Sequence, residues 1–276
     1  MEERMIGTLI RCEAVDERRI AFYREIGLNS LQIAGVYEKW LAPSESARRA
    51  SDDLFALFRK YHFTVPAMFL SYPDQVWSDP EKTVGLVPGK TRAERMVLSC
   101  RQMDWASRYG IKYITCHVGF VPEEQNEAFE RLVSDMKQLV RFAAAREQVF
   151  LFETGTESLS ALKRTLDAID EPNLGINFDP ANLLIYGNDD PSVLLDMMPE
   201  RIRVVHCKDA HRAQAGARLG KETVLGQGST GFFALLKRLL QTGFGGPLII
   251  ERELPPGPEQ ERDIADAVKR IRSAAE

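Results

Sequence analysis

The sequence predicts an α/β protein: a (β/α)8 barrel of the TIM type, forming one domain over residues 1–276. Three observations carry that expectation. Short apolar runs alternate with longer stretches of 3.6-residue periodicity, eight times over. The apolar runs are continuous in Val, Ile, Leu and Phe, as for parallel strands buried on both faces. The chain of 276 residues is also close to the ~250 typical of a closed α/β barrel.

The elements follow in order. Strand 5–10 (MIGTLI) leads to helix 16–27, which opens near Asp16 and stops at Gly27. Strand 30–35 (SLQIAG) precedes helix 44–61, with Ser44 at its start. Strand 64–70 (TVPAMFL) precedes helix 91–110, bounded by Thr91 and Gly110. Strand 113–119 (YITCHVG) leads to the long periodic stretch 123–148. Strand 149–154 (VFLFET) is followed by helix 157–169, and strand 175–179 (GINFD) by the short helix 191–198. Strand 203–207 (RVVHC) leads to helix 229–243, and strand 247–251 (PLIIE) to helix 257–275. Repeated strand–helix–strand units imply right-handed crossovers and a parallel sheet, which closes at eight. An open doubly wound sheet usually has a glycine-rich loop after its first strand. Here that segment reads RCEAVDERR, without glycine. The loop 210–228 after the seventh strand is unusually long, and long loops in compact domains are often functional.

Composition narrows the function classes. Basic and acidic residues number 36 and 40, for a net charge of −4, with no basic tail or face of the kind nucleic acid requires. No apolar run approaches the ~20 residues that cross a bilayer. The start, MEERMIGTLIRCE, is charged at once and has no signal-peptide core. The four cysteines form no C-x-x-C pair and read as reduced thiols in a cytoplasmic protein, with Cys116 and Cys207 packed inside strands.

The strand ends are where chemistry concentrates. FLFE ends on Glu153, GINFD on Asp179, VVH on His206 and LIIE on Glu251. Four successive strands of a barrel would bring these groups to one rim. Taken singly, such a residue reads as a helix cap, an ion-pair partner or a bonded interior histidine. Three carboxylates held together cannot all remain ionised without a compensating charge. A divalent cation supplies it, and an oxygen-rich set with one imidazole suits Mn²⁺ or Mg²⁺, with Co²⁺ or Zn²⁺ as alternatives. No organic cofactor is implied.

These motifs, with FLFETGTE, GINFDPANLL, VVHCKDAHR and GQGSTGFFALLKRLLQTGFGGPLIIERE at their centre, resemble the xylose-isomerase-like TIM-barrel superfamily over nearly the whole chain. That superfamily includes sugar phosphate isomerases and epimerases, ketose 3-epimerases, inosose dehydratases and endonuclease IV. The resemblance to the ketose 3-epimerases implies Glu153, Asp179, His206 and Glu251 as ligands of one divalent metal. It also implies that Glu153 and Glu251 move protons at the substrate carbon and that Arg212 holds substrate hydroxyls. The chain departs from that branch in two places. Asn182 stands where the epimerases have a histidine, and Leu159 where they have a glutamate, Glu157 being the nearest acid. Endonuclease IV needs three zinc ions and more histidines than the four present here, so nuclease activity is not expected.

Other residues are open to two readings. His117 is either a core histidine or a pocket wall touching substrate. Lys208 either points into the site with His206 or is a solvated loop residue. Asp209 is expected to orient His206 or Arg212, and His211 to have no role. Trp40, Tyr72 and Trp77 are read as either an apolar lid or core. GQGSTG is read as a capped turn rather than a phosphate cradle. The implied activity is isomerisation or epimerisation of a sugar-like hydroxy-carbonyl compound through an enediolate. Its alternatives are a dehydratase of the inosose or dehydroshikimate type and a non-catalytic sugar-binding barrel. The expected partners are a small sugar-like molecule and a second copy of the chain, with no nucleic acid and no membrane.

Overall fold

A computed structural model describes residues 4–76 and 79–275. Its parallel strands are β1 (Ile6–Arg11), β2 (Ser30–Ala34), β3 (Thr64–Phe69), β4 (Tyr113–Cys116), β5 (Val149–Glu153), β6 (Leu174–Phe178), β7 (Ile202–Cys207) and β10 (Leu248–Ile250). They close in the order β1-β10-β7-β6-β5-β4-β3-β2, as expected for a (β/α)8 barrel. The long loop after β7 is not structureless. It folds into an antiparallel hairpin of β8 (Asp209–His211) and β9 (Lys221–Thr223).

Each strand sends alternate residues to two different cores. Ala67, Leu151, Val204 and Ile249 meet inside the barrel, with Leu9, Tyr113 and Val149 packed against them. Their chain neighbours Met68, Phe150, Phe152, Val205, Leu248 and Ile250 belong to the larger core beneath the helices. This accounts for the polar end of VVHCKDAHR. Val204, His206 and Lys208 share the barrel-facing side, while Val205 and Cys207 pack outward. Toward the C-terminal rim the interior therefore turns from apolar to polar with no break in the strand.

The helices follow the expected pattern with shifted ends. Asn126 caps Glu127–Ala144 and Ser158 caps Leu159–Ile169, each side chain accepting the amide three residues on. Sequence periodicity did not anticipate the short helices Glu38–Leu41, Pro80–Thr83 and Pro180–Ile185, because one turn or two shows no period. No helix among the described residues is long and apolar enough to cross a membrane. Tyr72 lines the barrel mouth, its hydroxyl 2.8 Å from Ser99 Oγ. Trp40 instead lines a separate cavity of about 450 Å³ with Trp105 and Tyr109, so it is no part of a lid. Trp77 lies outside the described residues.

Candidate metal centre

The rim gathers one ligand atom each from Glu153, Asp179, His206 and Glu251, all within 4.8 Å of one another. Glu153 ends β5, Asp179 follows β6, His206 lies on β7 and Glu251 follows β10. Adjacent register sets their heights: Glu153 pairs with Asn177 across β5–β6, and His206 with Ile249 across β7–β10. His206 Nδ1 faces Glu153 Oε1 at 2.6 Å, Glu251 Oε2 at 3.1 Å and Asp179 Oδ2 at 3.7 Å. The first three residues are buried, whereas the Glu251 side chain is 13% exposed, toward the mouth.

Two of these groups are fixed from behind. Asp179 caps helix Pro180–Ile185 with one oxygen, Oδ1 accepting from Ala181 N at 2.8 Å and Asn182 N at 3.0 Å. Its other oxygen, Oδ2, is buried with no hydrogen-bond partner among the described residues. The cap and the ligand readings of a strand-end aspartate thus hold together, one oxygen for each. His206 Nε2 lies 2.6 Å from Gln32 Oε1, and Gln32 Nε2 donates to Thr115 Oγ1 at 3.1 Å. With its amide nitrogen on Thr115, Gln32 presents an acceptor, so Nε2 carries the imidazole proton and the Nδ1 lone pair faces the carboxylates.

Burial alone would lower the His206 pKa, but Glu251 and Glu153 raise it well above the usual imidazole value. Burial would likewise raise Glu153, yet His117 and His206 hold it down at about 2. Burial leads in raising Asp179. A proton on the imidazole is therefore what balances this cluster when no cation does. Three carboxylate oxygens, one of them orphaned, around an imidazole lone pair fit a hard divalent ion.

Gln32, Thr115 and Phe69 complete the centre. Phe69 lies against both imidazoles, with ring centroids 5.5 Å from His117 and 6.1 Å from His206. A lone amide inside SLQIAG was the available signal for Gln32. Substituting Gln32→Leu is expected to weaken Mn²⁺ binding by about 10–100-fold, read by calorimetry, because the imidazole loses the partner that orients it.

The remaining predicted residues are placed as follows. His117 Nε2 lies 2.7 Å from Glu153 Oε2, and His117 lines a cavity of about 270 Å³ with Phe69, Tyr72 and Glu251. Lys208 is buried, its Nζ 2.7 Å from Glu253, 3.2 Å from Glu251 and 3.2 Å from Asn182 Oδ1. Asn182 is held close by Gly155, at φ +137, where any side chain would collide with Asn182 Cβ. Arg212 is exposed and donates to the Asp189 carbonyl, apart from the ligand cluster.

Glu157 is 4% exposed, with Oε2 accepting from Thr156 Oγ1 at 2.8 Å and Oε1 without a partner among the described residues. Burial lifts its pKa from 4.5 to about 7. The folded state then keeps a proton that the unfolded chain has lost, so stability falls as pH rises across that interval. Relative to the wild type, Glu157→Gln should gain ~3 kcal/mol between about pH 5 and about pH 8 in urea unfolding, since the amide cannot ionise.

Asp209 corrects an expectation, for it orients neither His206 nor Arg212. Oδ1 accepts from Thr230 Oγ1 at 2.7 Å and Ala210 N at 2.9 Å, and Oδ2 from Gly226 N at 2.9 Å and Gly228 N at 3.0 Å. The amides of GQGSTG are thus engaged by the chain's own carboxylate. A Cβ at position 228 would strike that carboxylate. Asp209→Ala should cost about 3 kcal/mol and speed amide exchange over 210–230, because several buried donors lose one acceptor.

Residues 20–274 match the family described as "Xylose isomerase-like TIM barrel". The inosose dehydratase of Lacticaseibacillus casei is 23% identical over 169 residues, covering 55% of this chain and 56% of that protein. The ketose 3-epimerase of Arthrobacter globiformis is 31% identical over 106 residues, covering 38% of this chain and 32% of that protein. The chain spans about half the length of the inosose dehydratases it matches. A crystal structure of a xylose isomerase domain protein from Planctomyces limnophilus superposes with a TM-score of 0.89 at 30% identity, covering 99% of this chain and 98% of that one.

Proposed function

The chain belongs to the xylose isomerase-like TIM-barrel family, and from that premise we propose that it is a divalent-metal-dependent isomerase or epimerase of a sugar or sugar-like hydroxy-carbonyl compound. The observation that carries this reading is the convergence of three carboxylates and one imidazole at the barrel mouth. Glu153, Asp179, His206 and Glu251 would hold the cation, with Mn²⁺ or Mg²⁺ best matched to their donors. When bound, the cation supplies Lewis-acid polarisation of the substrate carbonyl and offsets the charge of the enediolate.

The chain's own groups move the proton. Glu153, kept ionised by His117 and His206, removes a proton from the carbon beside the carbonyl. Glu251 stands across the imidazole from it, three strands round the barrel, and faces the cavity. It returns a proton on the opposite face. His117, which lines that cavity, and the Lys208–Asn182 pair, whose ammonium lies 3.2 Å from Glu251, would hold substrate oxygens, with Glu157 and Arg212 as further contacts. Incubation in D₂O with Mn²⁺ and a panel of ketoses should place deuterium at one substrate carbon. Absence of exchange across ketoses, inososes, their phosphate esters and hydroxy-keto acids alike would remove the assignment.

Dehydration is the second reading, favoured by the Lys208 ammonium 3.2 Å from Glu251 Oε2. A cation beside the second carboxylate can donate a proton to a departing β-hydroxyl, releasing water. A new ultraviolet absorbance from the conjugated enone product distinguishes this outcome from epimerisation.

A further inference from the structure

A second cavity, of about 370 Å³, adjoins the metal centre between the ends of β1 and β10 and the helix Glu17–Glu25. Leu9, Arg11, Glu251 and Glu253 line both this cavity and the one over His117, so the two are lobes of one mouth. Arg19 lines the second lobe and is only 7% exposed. Its Nε is buried with no hydrogen-bond partner, and no carboxylate pairs with its guanidinium among the described residues. Asp16 takes the backbone amide of Arg19, not its side chain.

The other charges nearby are already matched. Glu253 and Glu251 take the Lys208 ammonium at 2.7 and 3.2 Å. Arg252 is paired with Glu222 at 3.0 Å and Asp263 at 2.9 Å. Arg19 alone of these has no hydrogen-bond or ion-pair partner among the described residues. Buried charges in proteins are almost always paired, and an unpaired one is strongly destabilising. A planar guanidinium facing a cavity offers parallel donors to two oxygens of one anion. The hairpin offers no rival anion site, since Asp209 fills the amides of GQGSTG.

We propose that this lobe binds an oxyanion, a phosphate or carboxylate at the tail of the substrate, with Arg19 as its principal donor and Arg11 at the entrance. The substrate is then an acidic or phosphorylated hydroxy-carbonyl compound, not a neutral sugar. The assignment of a substrate tail rests on the metal centre being the reactive site; binding of the anion itself does not.

Calorimetric titration of the Mg²⁺-loaded protein with inorganic phosphate tests it, with malonate in a parallel arm. Saturable binding of either probe is expected in the wild type, and which of the two binds more tightly separates a phosphate ester from a carboxylate. Arg19→Gln should weaken that binding by about tenfold or more. Affinity in R19Q within about twofold of the wild type, or no saturable binding of either probe to the wild type, overturns the proposal. If R19Q fails to fold, R19K is read in its place. It keeps the charge but loses the fork, so severalfold weaker binding supports the site and unchanged binding overturns it. His206→Ala separates the two claims. Anion binding that persists in H206A and is lost in R19Q upholds the oxyanion site even if no turnover is ever found.

Discussion

In the His206→Ala protein, stoichiometric Mn²⁺ binding is expected to disappear, with affinity at least ~10²-fold below the wild type, a loss larger than that of an orienting partner. His206 is the nitrogen donor of the cluster and the group closest to all three carboxylates. Its removal leaves three acids around a void and strands Gln32 Oε1, which faces the imidazole at 2.6 Å. Metal analysis after dialysis, with calorimetry for affinity, reads the effect. The same imidazole sets a pH dependence in the wild type. Its pKa is raised by Glu251 and Glu153 against the opposing effect of burial, so a proton competes with the cation for Nδ1. Metal affinity should therefore fall as pH falls, and metal uptake should release a proton into a weakly buffered solution. Binding in H206A as tight as in the wild type would show that the centre is not built around this residue.

Turnover is where Glu153→Gln should act. The amide keeps the shape of the side chain and a ligating oxygen but cannot accept a proton, so kcat is expected to drop by about 10²–10⁴-fold. The fold should persist, because Glu153 is held by His117, His206 and Asn177 rather than by the helix layer. Measuring residual rate at saturating Mn²⁺ separates lost proton transfer from weakened metal binding. Wild-type rates in this variant would move the base elsewhere, with Glu251 the next group to test.

Much of the site was legible because a parallel barrel turns sequence order into spatial order. FLFE, GINFD, VVH and LIIE each end in a polar group directly after a buried run, and consecutive strands must be neighbours or nearly so. What supports those groups was not legible. Gln32 and Thr115 come from β2 and β4, and nothing in local pattern says that a Gln in one strand meets a His far along the chain. Asp209 misled for the same reason. Its position three residues after His206 suggested a partner for that residue, but the chain turns at 209 and the carboxylate faces the hairpin and GQGSTG. Arg19 lies in the first turn of a helix, where a charge is ordinary and local pattern gives no reason to single it out. Only the packing of that helix against the ends of β1 and β10 buries it without a partner among the described residues.

By itself the sequence determined the alternation of strands and helices, the barrel it closes into and the four side chains at its rim. Period-two and period-3.6 burial are properties of neighbouring residues, and a closed parallel sheet leaves strand ends no other place to go. The tertiary structure alone decided which nitrogen of His206 faces the carboxylates, which oxygen of Asp179 is left over, what Asp209 holds and how Arg19 comes to be buried at the mouth. Each of those depends on distances between groups far apart in the chain, and such distances exist only once the barrel has closed.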